Sequence, residues 1–267
     1  MKTRITHISD THNKHKQLNG KLPDGDLLIH SGDFTSIGRK HEVEGFIKWF
    51  NRIDNYTNKV FIAGNHDLTF ESEMLLKNKS EYFERKPYSN PNPSMGKPDW
   101  LEVLLQSDLD DNVFYLENSS IELNGIKIWG SPYSPTFGHQ WAFNIDRGYD
   151  AQELWNTIPN DVHVLITHTP IYGYNDRAAN TNQNVGCSDL YHRVREVNPH
   201  LHFAGHIHEG YGYKTMGLTE WHDCQTFNGC SCDLAYDAVN NPITFDYDFS
   251  TGEINFVWWK KKRYICI

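Results

Sequence analysis

No stretch of the chain approaches the length of apolar residues that a bilayer-spanning helix needs. The opening MKTRITHISD lacks the apolar core of an export signal, and the cysteine next to the end of YICI does not form a prenylation box. A membrane role is not expected, and the cytoplasm is the expected compartment. Cysteine is scarce: Cys187, Cys224, Cys230, Cys232 and Cys266 are an odd five with no C-x-x-C pair. That argues against a disulfide framework and for a reducing compartment. Cys224, Cys230 and Cys232 lack regular zinc spacing and an evident fourth ligand, so they read as ordinary thiols. Positive charge is also short, with 25 Lys and Arg against 34 Asp and Glu, a net charge of −9. Non-specific grip on a nucleic-acid backbone is disfavoured. A small anionic substrate is not, because bound cations reverse the sign locally.

What the chain does hold is a core. Hydrophobic residues make up 38% and aromatics 13% of its 267 residues, enough for one large domain over 1–267. TRITHIS (3–9), DLLIHSG (26–32) and KVFIAG (59–64) read as strands, with an amphipathic helix near 40–53. This is the rhythm of a layered α/β fold. Residues 113–132 contain two strands about an Asn-Gly turn, a hairpin signal. Helices are expected at 151–158 and 187–197, strands at 161–168 and 200–208, and mostly strands with turns after 211. The four prolines within 86–99 mark a loop.

Five of the apolar runs end in residues that bind metals or move protons. SDTH supplies Asp10 and His12, SGDF supplies Asp33, and GNHD supplies Asn65, His66 and Asp67. THTP supplies His168, and GHIH supplies His206 and His208. Carboxyl ends of parallel strands lie along one sheet edge, where open α/β sheets bind ligands. Residues at i and i+2 of an extended chain share a side, so D-x-H and H-x-H each offer two donors together. Carboxylates, imidazoles and an amide suit manganese, iron or zinc, whereas an all-oxygen set favours magnesium or calcium. Two such ions clamp an in-line displacement at phosphorus. Each motif alone is common; the ordered set of five is not.

The order D-x-H, G-D, G-N-H-D, H, G-H-x-H resembles that of the calcineurin-like metallophosphoesterases. KIWGSPYSPTFGHQWAFNIDRG (127–148), VLITHTP (164–170) and NPHLHFAGHIHEGYG (198–212) are similar to one branch, the metallophosphoesterase-domain-containing brain proteins and their microbial relatives. The likeness continues to about residue 249, leaving 250–267 as a strand extension. The resemblance implies a four-layer αββα sandwich of two mixed sheets flanked by helices. It also implies a metal held by Asp10, His12 and His208, a second held by Asn65, His168 and His206, and Asp33 between them. Manganese is the first expectation, with iron, zinc, magnesium, nickel or cobalt as alternatives. The implied nucleophile is a hydroxide between the ions, with His66 as acid at the leaving group. Asp67 reads as support for its loop.

The expected activity is hydrolysis of small phosphodiesters, cyclic nucleotides among them. Tyr133, Phe137, Trp141 and Phe143 are candidates to stack a base beside Asn65 and His66, or else they cap the core. Arg147 is a candidate partner for phosphate or for a surface carboxylate. A protein Ser/Thr phosphatase is disfavoured, because GDFTSIG and GNHD replace that branch's Asp-Arg-Gly and Asn-His-Glu. A nuclease, a phosphomonoesterase and a weakly active nucleotide-binding protein are the remaining alternatives. His7, His30, His163 and His202 read as strand-borne core groups, and His15 as a surface residue or pocket candidate. The sequence sets no oligomeric state.

Overall fold

A computed structural model describes residues 2–71, 99–138, 140–217 and 223–258. The strands are β1 (Lys2–Ile8), β2 (Gly25–Ser31), β3 (Tyr56–Ile62), β4 (Val113–Tyr115), β5 (Ser119–Leu123), β6 (Ile126–Ser131), β7 (Ser134–Pro135) and β8 (Asn144–Ile145). They continue as β9 (Val164–Thr167), β10 (Arg177–Ala178), β11 (Gln183–Asn184), β12 (Leu201–Ala204), β13 (Gly212–Met216), β14 (Cys224–Asn228), β15 (Ile243–Asp248) and β16 (Glu253–Trp258). The helices among the described residues are α1 (Lys40–Asn51), α2 (Asp99–Ser107), α3 (Tyr149–Asn156) and α4 (Ser188–Val197). None is long and apolar enough to cross a membrane.

Two mixed six-stranded sheets form the centre. The first runs β16-β15-β1-β2-β3-β4, with β1 to β4 parallel and the last two strands of the chain added antiparallel. The second runs β13-β14-β12-β9-β6-β5, parallel from β14 to β6 and antiparallel at both edges. Their inner faces share one apolar layer in which Ile5, Ile29 and Val60 meet Ile128, Ile166 and Phe203. The outer face of the first sheet is covered by α1 and α2, through Phe46, Phe50, Leu101 and Leu104. That of the second is covered by α3 and α4, through Trp155, Leu190 and Val194. This is the expected αββα sandwich: strands buried on both faces need helices outside and each other inside.

Local chemistry accounts for the elements. The apolar spacing of α1 buries Val43, Phe46, Ile47 and Phe50 on one side. Its C-terminal carbonyls at Phe50 and Asn51, with that of Ile53, receive three hydrogen bonds from the Lys59 ammonium at 2.8–2.9 Å. Lys59 is thus a buried strand residue that caps a helix, and β3 begins at Tyr56, earlier than apolar character alone indicates. Asn124 and Gly125 turn the β5–β6 hairpin with φ of 52° and 77°, as a two-residue turn of this hand requires. The helix α2 lies where the sequence reading placed no element; DWLEVLLQS buries Leu101 and Leu104 on one face. Most of the proline-rich 86–99 stretch, and the tail after 258, lie outside the described residues.

His15 departs from its surface expectation. It is only 3% exposed, with its ring 4.9 Å from Trp49 and 5.8 Å from Phe46. Burial lowers its pKa from 6.5 to about 4. A depressed folded-state pKa contributes stability above the unfolded value of 6.5, and that stability is lost as pH falls toward 4. His15→Phe removes this titration and keeps the aromatic packing. Between pH 7 and pH 5 the variant is expected to lose about 1–2 kcal/mol less stability than the wild type. Paired denaturant titrations at the two pH values measure the difference; parallel losses would show that His15 does not titrate this way.

Candidate metal centre

The parallel strands β1, β2 and β3 deliver Asp10, His12, Asp33, Asn65 and His66 just beyond their carboxyl ends, and β9 and β12 of the other sheet deliver His168, His206 and His208. Backbone bonds stitch the two sheets together there. Ser9 N–H donates to the Gly229 carbonyl and Ser231 N–H to that of Ser9. Sharp turns follow the strands: Asp10, His12, Asp33 and His206 all have positive φ, between 39° and 66°. L-residues adopt this region at a cost that functional sites commonly bear.

The side chains converge. Asp10, His12 and His208 form one group that could hold a metal ion, and Asp33, His168 and His206 form another. Asp33 Oδ2 faces both groups, 3.3 Å from His168 Nε2 and 4.0 Å from His12 Nε2. The Asn65 amide oxygen lies 2.9 Å from His168 Nε2 and 2.7 Å from His206 Nδ1. His12 and His208 bring their Nε2 atoms to 3.2 Å of each other, and His208 Nε2 is 3.4 Å from Asp10 Oδ1. Main-chain carbonyls hold the far side of three rings, accepting from His12 Nδ1 (Thr35), His168 Nδ1 (Ser31) and His208 Nδ1 (Asp233). This outer bonding leaves each Nε2 directed inward, as metal-binding imidazoles require.

Electrostatics divides the rings. Burial pushes His12 down to about 4 and His206 down to about 3. Burial acts the same way on His168 and His208, but Asp33 outweighs it at the first and Asp10 at the second, holding both up to about 9. Both aspartates are held below the usual carboxylate range: burial opposes this, but the surrounding imidazoles, chiefly His208 at Asp10 and His168 at Asp33, win. The donor set therefore fits divalent cations on its chemistry. It pairs anionic oxygens with inward nitrogens, two of which face each other without a donor between them unless one is protonated.

Supporting groups surround this set. Asp67 is fully buried and accepts hydrogen bonds from the N–H groups of Asp33, Thr35 and Gly64 and from the Thr35 hydroxyl, at 2.6–3.0 Å. It ties the second and third motif loops together, the support role expected of it. Its own acidity is weakened to about 8, by burial first and then by Asp33. Asp10 Oδ2 accepts from the Ser9 hydroxyl at 2.5 Å and the Cys230 thiol at 3.2 Å. The His206 N–H is shared between Oδ2 at 3.0 Å and Oδ1 at 3.1 Å, and Oδ1 is the oxygen toward His12 and His208. Sequence reading missed Cys230; no motif marks it. The three late cysteines do not form a zinc site: Cys224 packs among the α3–α4 core, and no metal-holding group among the described residues includes a cysteine.

Gly205 shows why these loops use glycine. A Cβ there would overlap Ser9 Oγ and Asp10 Oδ2 and lie 2.9 Å from Ser9 Cβ. Gly205→Ala is expected to cost about 1–3 kcal/mol through overpacking. Gly45→Ala, in α1 with nothing within 4 Å, is expected to add about 0.5–1 kcal/mol from helix propensity. Thermal unfolding of the pair measures the contrast; equal effects would contradict the close packing at Gly205.

An open cleft of about 200 Å³ leads to these groups, lined by Asp33, Asn65, His66, Trp141, His206 and His208, with Phe137, Glu209, Leu234 and Tyr236 at its sides. His66 is half-buried; its N–H donates to Asp33 Oδ1 at 2.7 Å and its Nδ1 to the Ser36 carbonyl at 2.7 Å. Trp141 lies 4.2 Å from the His66 ring and Phe137 4.9 Å from His206. Two other aromatic candidates go elsewhere. Tyr133 packs against the helix-covered cores and edge-on to Phe143 at 5.4 Å, and Phe143 is buried. Phe143 sits in a bend with a φ of 54°, where the i, i+2 alternation of an extended chain does not hold, so its ring does not share the side of Trp141. Arg147 donates to the carbonyls of Val185 and Gly186 rather than to a surface carboxylate. His7, His30 and His202 are buried and bond Ser31, Thr11 and Thr167, while His163 is only half-buried and lies just before β9.

An αββα sandwich carrying paired carboxylates and imidazoles at the ends of its parallel strands is the architecture of metal-dependent phosphoesterases. The chain belongs to the calcineurin-like phosphoesterase family, whose model matches residues 3–210 and so spans all five motifs. It is 40% identical over 245 residues to metallophosphoesterase domain-containing protein 1 of Homo sapiens, covering 91% of this chain and 71% of that protein. It is also 40% identical over 245 residues to a UPF0046 protein of Caenorhabditis elegans, covering 91% of this chain and 59% of that one. Among solved structures, TT1561 of Thermus thermophilus is similar with a TM-score of 0.55 at 12% identity, over 96% of this chain and 98% of that one. Phosphopantetheinyl hydrolase (PptH) from Mycobacterium tuberculosis is similar with a TM-score of 0.51 at 14% identity, over 87% and 90%. At such identities these two likenesses bear on the fold alone.

Proposed function

We propose that this phosphoesterase is a dinuclear-metal phosphodiesterase acting on small phosphodiesters, cyclic nucleotides among them. One observation carries the reading: Asp33 Oδ2 faces both donor groups, 3.3 Å from His168 and 4.0 Å from His12, as a shared ligand must. In this reading Asp10, His12 and His208 hold one ion, Asn65, His168 and His206 hold the other, and Asp33 bridges. Manganese suits the mixed nitrogen and oxygen donors. When bound, the cations supply Lewis acidity and a hydroxide nucleophile at neutral pH. The whole chain acts as one domain, with β16 as an extension of the first sheet.

The protein's own groups do the rest. His66 has its Nδ1 committed to the Ser36 carbonyl, so Nε2 is the nitrogen that meets substrate. With a proton there, it donates to the leaving oxygen as a general acid. Asn65 orients a phosphoryl oxygen through its amide nitrogen while its oxygen stays with the histidines. Metal-stripped protein should not hydrolyse bis-p-nitrophenyl phosphate, and reloading with Mn²⁺ should restore turnover. His66→Ala should retain two metals and lose about 10²–10⁴-fold in kcat on esters with poor leaving groups. Full turnover after complete metal removal would overturn the reading.

A further inference from the structure

The turn after β14 carries an exposed aromatic residue that no motif predicts. Tyr236 is 44% exposed and has a φ of 60°, a backbone region in which a bulky side chain is an outlier. The turn that forces this conformation is built firmly. Asp233 Oδ1 accepts from the N–H groups of Ala235 and Asp237, and the Asp233 carbonyl accepts from Tyr236 N–H at 2.9 Å. The same carbonyl accepts from His208 Nδ1 at 2.8 Å, so one main-chain oxygen holds both a cage histidine and the Tyr236 backbone. The ring stands edge-on to His12 at 4.8 Å, and lies 5.4 Å from His208 and 6.0 Å from His66. Leu234, beside it on the same turn, is 62% exposed.

Trp141 and Phe137 line the same cleft, near-parallel at 20° with centroids 6.5 Å apart. The Ala142 N–H, next to Trp141, is bonded to the Asn65 carbonyl, which fixes that segment to the third motif loop. The cleft thus has aromatic or apolar side chains from two separate segments, and neither segment belongs to the five motifs. Among the described residues lining it there is no Lys or Arg, and Glu209 at its side bonds the Ala179 N–H. None of these described residues offers a cation to a second phosphate, as gripping a polynucleotide backbone requires.

We propose that Tyr236 and Leu234 form one wall, and Trp141 and Phe137 the other, of a slot that takes the planar organic group of a single-phosphate diester. Tyr236 is a specificity-determining residue within it. This rests on the phosphodiesterase reading and adds the substrate's shape: one phosphate at the cage, one flat apolar group such as a nucleobase in the slot, and no extended strand. Stacking on an aromatic wall tolerates any base, because each base has a π-face.

The test compares two esters with the same leaving group and charge, thymidine 5′-(p-nitrophenyl phosphate) and methyl p-nitrophenyl phosphate, using the Mn²⁺-loaded full chain. The wild type is expected to prefer the nucleoside ester by about tenfold or more in kcat/KM, mainly through KM. Tyr236→Ala and Trp141→Ala should each collapse that ratio, and Tyr236→Phe, which keeps the ring, should retain it. A wild-type ratio near one, or equal loss on both esters in Tyr236→Ala, overturns the slot. Faster cleavage of an oligonucleotide than of the nucleoside ester overturns the single-phosphate limit. If neither ester turns over, the hydrolase reading fails, and the slot is decided by calorimetry with adenosine 5′-methylphosphate. Binding weakened about tenfold in Tyr236→Ala supports it, and absence of binding overturns it.

Discussion

Asp33→Asn should reduce kcat/KM for a phosphodiester by about 10³-fold and lower the bound metal from two ions per chain to one. The substitution keeps size and shape. It also keeps an oxygen able to accept the His66 N–H, which meets Asp33 Oδ1 at 2.7 Å. What it removes is the negative charge and the second oxygen, the atom that faces His168 at 3.3 Å and His12 at 4.0 Å. An amide nitrogen at that position donates instead of accepting and cannot lie between two cations. The loss therefore comes from the metal pair and not from collapse of the loops, which Asp67 holds through the Asp33 N–H. Metal analysis of the purified variant alongside its kinetics is the check. Two tightly bound ions and activity within tenfold of wild type would show that Asp33 is not the shared ligand.

The largest effect on stability is expected at the contact between the sheets. Phe245 on β15 stacks on Phe227 of β14 at 4.6 Å and 6°, and both rings are essentially buried. Phe203 of β12 lies 5.1 Å from Phe227, extending the stack. Phe245→Ala leaves a cavity between two hydrogen-bonded sheets that cannot collapse into it without breaking their own ladders. A loss of about 3–5 kcal/mol follows from the removed burial plus the residual cavity. Urea unfolding monitored by tryptophan fluorescence measures it, and a loss below about 1 kcal/mol would mean the sheets repack freely.

Much of this was legible in the residues, for a physical reason. Strand ends are local events: an apolar run followed by Gly and a polar donor marks both where a buried strand stops and where a reactive group begins. The five motif blocks were therefore visible without any contact information. So was the β5–β6 turn, since Asn124-Gly125 encodes it in two residues. Lys59 was not, because a lysine in an apolar strand acquires meaning only from the end of α1 against it. His15 was misassigned for the same reason: Trp49 and Phe46 bury it from a distant helix. Tyr236 had no local signal, since its relation to His12 spans more than two hundred residues.

The chain alone determined which residues have metal-binding chemistry, that they sit at strand ends, and that they match one family of phosphoesterases. Only the tertiary structure decided how they are shared out, with Asp10, His12, Asp33 and Asn65 following one sheet and His168, His206 and His208 following the other. It alone also showed that Trp141 and Phe137 line the cleft, Trp141 while resting on the same core as Tyr133, whereas Tyr133 and Phe143 do not reach it. The type of a donor belongs to the residue itself, whereas its neighbours are set by long-range packing of two sheets, to which no single segment of sequence has access.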